Sequence, residues 1–361
     1  MIMFVGHGEV RFHHPIMPCI IIIDAVFINK IILKNHLINM IMPIPHRISW
    51  IDSARGFCMI AILYFHTEIY YTNTTIIPYS MYVVNALVMF FFISGFLFYK
   101  ENNFHIKQKI KSIFRSLIKP YFIFTAIISI PKAIVHGENI EIINIVKQIL
   151  LGHASWFIAA LIIAEFIFSI ILYLSKEKTS IIIVSSVILF YMGLSFNHTN
   201  LSIPWHAHIA ALSVLFIASG YLYHRFEYLF CHYINSFTFV MAFVVVTICK
   251  TTENYYGLNM MICGLNIDNV FIFLIDTFLS IYIIIYLAQK LPQFHFIQYV
   301  GRHCIVFYFL CGGIPLLTSK VFNAVSLGYS SNYMQLLPVF FCVLIITTFV
   351  TWIIYKYIKI V

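Results

Sequence analysis

An arginine and a histidine, Arg55 and His66, stand eleven positions apart in a stretch otherwise apolar enough for a membrane. Charge placed in lipid is costly, so two ionisable residues in one such segment point to a site. In an α-helix eleven steps return the chain to nearly the same face, about 16 Å further along. Histidine titrates near neutrality and can take a hydroxyl proton. Arginine stays protonated and cannot be a base, but its planar fork of donors suits an anionic group. Each residue also has a structural reading. His66 could be satisfied by a neighbouring carbonyl or hydroxyl, and Arg55 could pair with Asp52 three positions earlier.

The elements that must hold this pair are membrane helices. Of 361 residues, 61% are hydrophobic and 10% charged, and the mean hydropathy is +0.93. A soluble globular chain has roughly 45–50% apolar and about 25% charged residues. The fold class expected is therefore all-α, a polytopic membrane protein with about ten transmembrane helices in one bundle. The alternating ten-residue segments of a transmembrane barrel are missing. The predicted spans lie at about 51–71, 80–99, 120–135, 155–174, 180–195, 207–223, 236–250, 268–288, 303–323 and 334–357. Thirteen Lys and Arg fall on one side of them, six in the 100–119 loop, against Lys132, Lys147, Lys250 and Lys320 on the other. That asymmetry puts both termini in the cytoplasm, Arg55 towards the cytoplasmic face and His66 in the outer half.

The net charge of +9 belongs to those loops. No basic stripe interleaved with stacking aromatics lies outside the spans, so nucleic acid is not an expected partner. The eight cysteines are scattered, without the spacing of a metal site or a disulfide framework. Residues 1–46 contain a short apolar run, Pro15 to Ile28, interrupted by Asp24. That run could be an extra membrane-associated helix or a poor signal peptide, but the favoured expectation is an extension upstream of a start near Met40 or Met42, with residues 47–361 a single membrane domain.

Six short patterns recur in order along the chain. Arg47 is followed by Trp50, Ile51, Asp52, Ser53, Ala54, Arg55, Gly56 and then His66. Phe90, Phe91 and Phe92 precede Ser94 and Gly95. A basic segment ends at Lys119, Pro120 and Tyr121. Trp156 and Phe157 precede Leu161, and Pro204 and Trp205 precede Gly220 and Tyr221. The last runs from Tyr299 through Gly301, Arg302 and Cys304 to Tyr308. Together they resemble the integral-membrane acyltransferase family called acyltransferase 3, which includes polysaccharide O-acetylases and fucose 4-O-acetylase-like proteins. Three positions depart from its pattern. Ser112 stands three before Arg115 where a second arginine is usual, Cys304 replaces a serine, and Cys311 replaces a late histidine.

The resemblance implies a bacterial inner-membrane enzyme. Its donor substrate would be cytoplasmic acyl-CoA, most simply acetyl-CoA, with no permanently bound cofactor. Its acceptor would be a hydroxyl of a surface or exopolysaccharide sugar or its lipid-linked precursor. His66 is then the general base. Arg55 holds a phosphate or the pantetheine amides of the coenzyme, with Lys111, Arg115 and Lys119 on a helical stripe that also begins with Lys107. That stripe suits anionic lipid headgroups or a topology signal equally well. Asp52 lies too far along the helix to orient His66. Glu165 and Asp276 are carboxylates in other spans, and Glu165 is the preferred partner for His66, unless another polar group takes it. Ser94 and Gly95 read as close helix packing. Trp205 is a candidate for acceptor contact. The rival functions are a transporter or flippase of a lipid-linked glycan and a non-catalytic family member.

Overall fold

The computed structural model describes residues 48–100, 104–136, 141–199, 201–230 and 233–357. The N-terminal extension, Arg47, Cys19 and Cys231 lie outside the described residues. The chain runs α1 (Ser49–Thr72), a 3₁₀ turn (Tyr79–Met81), α2 (Val83–Phe96), α3 (Ile106–Ile113), a π-helical turn (Phe114–Ile118), α4 (Lys119–His136), α5 (Ile142–Leu150), α6 (Trp156–Ser175) and α7 (Thr179–Leu194). It continues with α8 (Ala207–Arg225), α9 (Glu227–Phe230), α10 (Ser236–Tyr256), a two-stranded antiparallel hairpin of β1 (Met260–Met261) and β2 (Asn266–Ile267), and α11 (Val270–Lys290). It closes with α12 (His295–Arg302), α13 (Cys304–Leu310), α14 (Gly313–Ala324) and α15 (Leu336–Tyr357).

By length and composition, six of the described helices could cross a membrane, or seven if the bent pair α13–α14 is one span. Two shorter apolar helices, α2 and α7, add to these. With α1 they occupy all ten predicted segments, so ten is an approximate span count, not an exact one. The helix that carries the Arg55–His66 pair is not among the six, because Asp52, Arg55 and Glu68 lower its hydropathy. It is buried by protein instead. α1 packs against α2, α11, α12, α13, α14 and α15, and Ala54, Cys58, Ile62, Leu63 and Tyr64 are buried.

Inside an apolar bundle every polar group on such a helix needs a protein partner or a cavity. Thr67 and Thr72 donate their hydroxyls back to the Leu63 and Glu68 carbonyls at 2.8 and 2.9 Å. Asn73 ends the helix in the left-handed conformation at φ 56°. The Glu68 carboxylate then accepts the backbone N–H groups of Ile76 at 2.6 Å and Ile77 at 2.8 Å, and the Tyr333 hydroxyl at 3.1 Å. Glu68 thus folds the following loop back onto α1 and ties it to the start of α15.

Two reciprocal glycine contacts set the spacing of the helices around the site. A Cβ on Gly56 would strike the Ile297 carbonyl, and one on Gly301 the Asp52 carbonyl, so α1 and α12 meet backbone to backbone. Gly95 on the Ile217 carbonyl and Gly220 on the Phe92 carbonyl do the same for α2 and α8. Small residues permit such approach, and a methyl inserted there forces the backbones apart at about 1–3 kcal/mol. Gly301→Ala should therefore lower the melting temperature of the detergent-solubilised protein. Gly313→Ala, with nothing within 4 Å of the new atom, should leave it unchanged. Equal melting of the two variants would contradict the contact.

Candidate active site

α1 runs as one unbroken helix through Arg55 and His66, and each residue lines a different cavity. The one at the Arg55 end is about 730 Å³; the one at the His66 end is about 780 Å³. Both fall in the range of roughly 300–1,000 Å³ typical of small-molecule sites. Tyr308, on α13, lines both. The two cavities therefore adjoin at this residue, a turn before the 46° bend between α13 and α14.

At the Arg55 end the walls carry Arg55, Lys100, Lys109 and Arg302 against the carboxylates of Glu165 and Glu177. The expected i, i+3 pair of Asp52 with Arg55 is not formed. The Asp52 carboxylate lies 3.6 Å from Arg302 Nε on α12, just where Gly301 lets α12 touch α1. Glu165 Oε1 accepts the Ser94 hydroxyl at 2.5 Å, and Oε2 lies 3.0 Å from Lys109 Nζ. Lys109 also stands 3.5 Å over the Phe98 ring. Glu177 Oε2 accepts the Tyr221 hydroxyl at 2.9 Å, and Oε1 the Phe104 N–H at 3.0 Å. Arg55 and Lys100 make no ion pair or side-chain hydrogen bond among the described residues. The cavity is left with uncompensated positive charge.

Glu165 is thus placed at the Arg55 end, engaged by Ser94 and Lys109, and the structure does not bring it to His66. The stripe of Lys107, Lys111, Arg115 and Lys119 is exposed, and none of the four lines either cavity. The opposite side of the same segment does so, through His105, Gln108, Lys109, Ser112 and Ser116. The π turn between α3 and α4 adds a residue to the helical repeat, a device frequent at functional sites. Ser112, the departure from the family's arginine, faces the cavity, while Arg115 does not.

At the other end His66 is half-buried, with its ring stacked on Tyr70 at 6.2 Å. Trp156, Ser155, Tyr79 and Cys311 share its cavity. Cys311 donates its thiol to the Tyr308 carbonyl at 2.9 Å. Cys263, in the hairpin loop, also lines it, and burial pushes its thiol above the usual range, which keeps it protonated. Trp205 is elsewhere: its backbone N–H donates to the Leu151 carbonyl at 2.7 Å, and its ring packs 5.3 Å from Tyr121.

Asp276, the other intramembrane carboxylate, belongs to a buried network that sequence reasoning missed. Lys250 Nζ lies 2.6 Å from Asp276 and 3.3 Å from Glu253, and it donates to the Ser80 carbonyl at 2.5 Å. Lys250 is 5% exposed. Its expected place in an outer loop is corrected by α10, which runs on to Tyr256. Glu253, one turn later, lines the His66 cavity. The spacing of Lys250 and Glu253 is a visible i, i+3 signal, which a span ending at residue 250 divides and a helix continuing to Tyr256 restores.

Compared with protein families, residues 48–356 match the model of an acyltransferase domain. No curated protein and no solved structure matches.

The Asp52–Arg302 contact predicts non-additive thermal destabilisation. Asp52→Asn and Arg302→Met should each lower the melting temperature, and the double variant should fall no further than the worse single. Contacting pairs commonly couple by about 0.5–3 kcal/mol; additive losses would show that the two residues act independently.

Proposed function

We propose, for a chain that belongs to the acyltransferase 3 family, that this membrane acyltransferase moves an acetyl group from acetyl-CoA to a sugar hydroxyl. The acceptor is a surface or exopolysaccharide, or its lipid-linked precursor. The observation that supports this reading best is the placement of Arg55 and His66 in two cavities that adjoin at Tyr308. A long donor with an anionic head and a reactive tip fits two chambers better than one. The separation along α1, about 16 Å, is on the scale of an extended pantetheine arm.

In this reading the Arg55 cavity takes the coenzyme from the cytoplasm. The guanidinium of Arg55 and the ammonium of Lys100 would meet its phosphates as charge-assisted hydrogen bonds. The thioester would pass Tyr308 into the second cavity, beside His66. An acceptor hydroxyl arriving from the outer side would attack the thioester carbonyl while His66 takes its proton. Collapse of the tetrahedral intermediate expels the coenzyme thiolate, which recovers that proton from the imidazolium. The ester leaves on the sugar, and His66 ends neutral, as it began. The basic excess of the 100–119 segment favours a topology with Arg55 and both termini facing the cytoplasm, and the family resemblance suggests a bacterial inner membrane.

His66→Ala should abolish O-acetylation while the protein remains in the membrane. Arg55→Ala should raise the KM for acetyl-CoA about 10- to 100-fold, the worth of a hydrogen bond to a charged group. NMR of surface glycan from cells with and without the gene reads the ester directly. Unchanged O-acetyl resonances in the deleted strain, or normal turnover by His66→Ala, would overturn the assignment.

A further inference from the structure

We infer that Glu253 is an acceptor-binding residue, and that the buried cluster behind it forms a subsite for a hydroxyl-rich ligand in the His66 cavity. This rests on the acyltransfer reading above and names a part of the site that the reading leaves unassigned.

Donors and acceptors in this cluster do not balance. Lys250 has three N–H groups, and Asp276, Glu253 and the Ser80 carbonyl take all three. Asn85 has two side-chain N–H groups, given to Asp276 Oδ2 at 3.0 Å and the Ser280 hydroxyl at 2.9 Å. The ammonium and amide donors are used up, leaving in the cluster only the hydroxyls of Ser80, beside Glu253, and Ser280. Three acceptors remain without a hydrogen-bond partner: Glu253 Oε1, Asp276 Oδ1 and Asn85 Oδ1. Two carboxylates share one ammonium. Glu253, Asp276 and Asn85 are 1%, 2% and 5% exposed, so bulk water does not make up the deficit.

Buried polar atoms are as a rule paired, and an unpaired one is costly. Whatever completes this cluster must bring donors. Glu253 is the member of that acceptor trio that reaches the cavity wall, and it does so in the same chamber as His66. Trp156, Tyr70 and Tyr79 line that chamber too, offering apolar ring surface with a polar edge. A sugar matches both features: several hydroxyl donors on its rim and apolar C–H faces. Lys250 holds the Glu253 carboxylate in place through Oε2, which leaves Oε1 to accept from a hydroxyl of a ligand in that chamber.

The test uses purified full-length protein, acetyl-CoA, and surface glycan stripped of its esters by mild alkali. For Glu253→Gln the expected result is a glycan KM raised about 10- to 100-fold. The KM for acetyl-CoA and kcat at saturating glycan should stay at wild-type values. Glu253→Asp, which keeps the charge but withdraws it, should lie between the two. It also carries the test if the glutamine variant fails to fold. An unchanged glycan KM in both variants overturns the inference. So does a fall in kcat at unchanged glycan KM, which would make Glu253 a support for His66. A wild-type protein that esterifies no glycan removes the acyltransfer reading itself, and this inference with it.

Discussion

The bundle is organised by the need to keep charge on α1 away from lipid. A helix with Asp52, Arg55, His66 and Glu68 cannot face hydrocarbon without large cost, so it is surrounded by six other helices. Within that shell each group has a specific outlet. Asp52 meets Arg302 across the Gly301 contact, Glu68 meets two backbone N–H groups and Tyr333, and Arg55 and His66 open onto cavities. Pairing the acidic residues elsewhere is what leaves Arg55 available.

This explains why two patterns at opposite ends of the sequence belong together. Trp50 to Gly56 and Tyr299 to Tyr308 are the two sides of one contact. Gly56 and Gly301 bring the backbones together, Arg302 neutralises Asp52, and Tyr308 stands between the cavities. Neither pattern does this alone. The α2–α8 contact through Gly95 and Gly220 plays the matching part on the other side, placing Ser94 against Glu165.

Helical periodicity and hydropathy made α1, its polar stripe and the helical segments legible in the sequence, because these depend on local spacing. Pairings between helices were not legible. Nothing in the sequence around Glu165 tells that Lys109, rather than His66, is its neighbour. The Lys107 to Lys119 stripe was visible, but which side of it would face a cavity depends on packing against α6. Lys250 misled for a related reason. A lysine near a span end usually marks a loop, and only the carboxylates of Glu253 and Asp276 make its burial tolerable.

The break between α13 and α14 shows why the two cavities adjoin. Irregular backbone at membrane depth survives where it lines a cavity, because its carbonyls and N–H groups then have other partners or space. Here the break falls at Cys311 and Gly312, with the Cys311 thiol closing onto the Tyr308 carbonyl. A straight helix from Cys304 to Ala324 would carry its side chains past α1 in one continuous ridge. The 46° bend turns that ridge aside in the His66 chamber, where Cys311, Gly312 and Gly313 line the wall and Gly312 lies near the Tyr70 hydroxyl, and Tyr308, just before the break, lines both chambers. A side chain such as that of Tyr308 can yield by rotamer change, whereas a continuous helix cannot. Under the proposed reading that is where the donor must cross. The late histidine of the family pattern is replaced by Cys311 at this same break, so the imidazoles of that chamber are those of His66, with Tyr70 stacked against it, and His153.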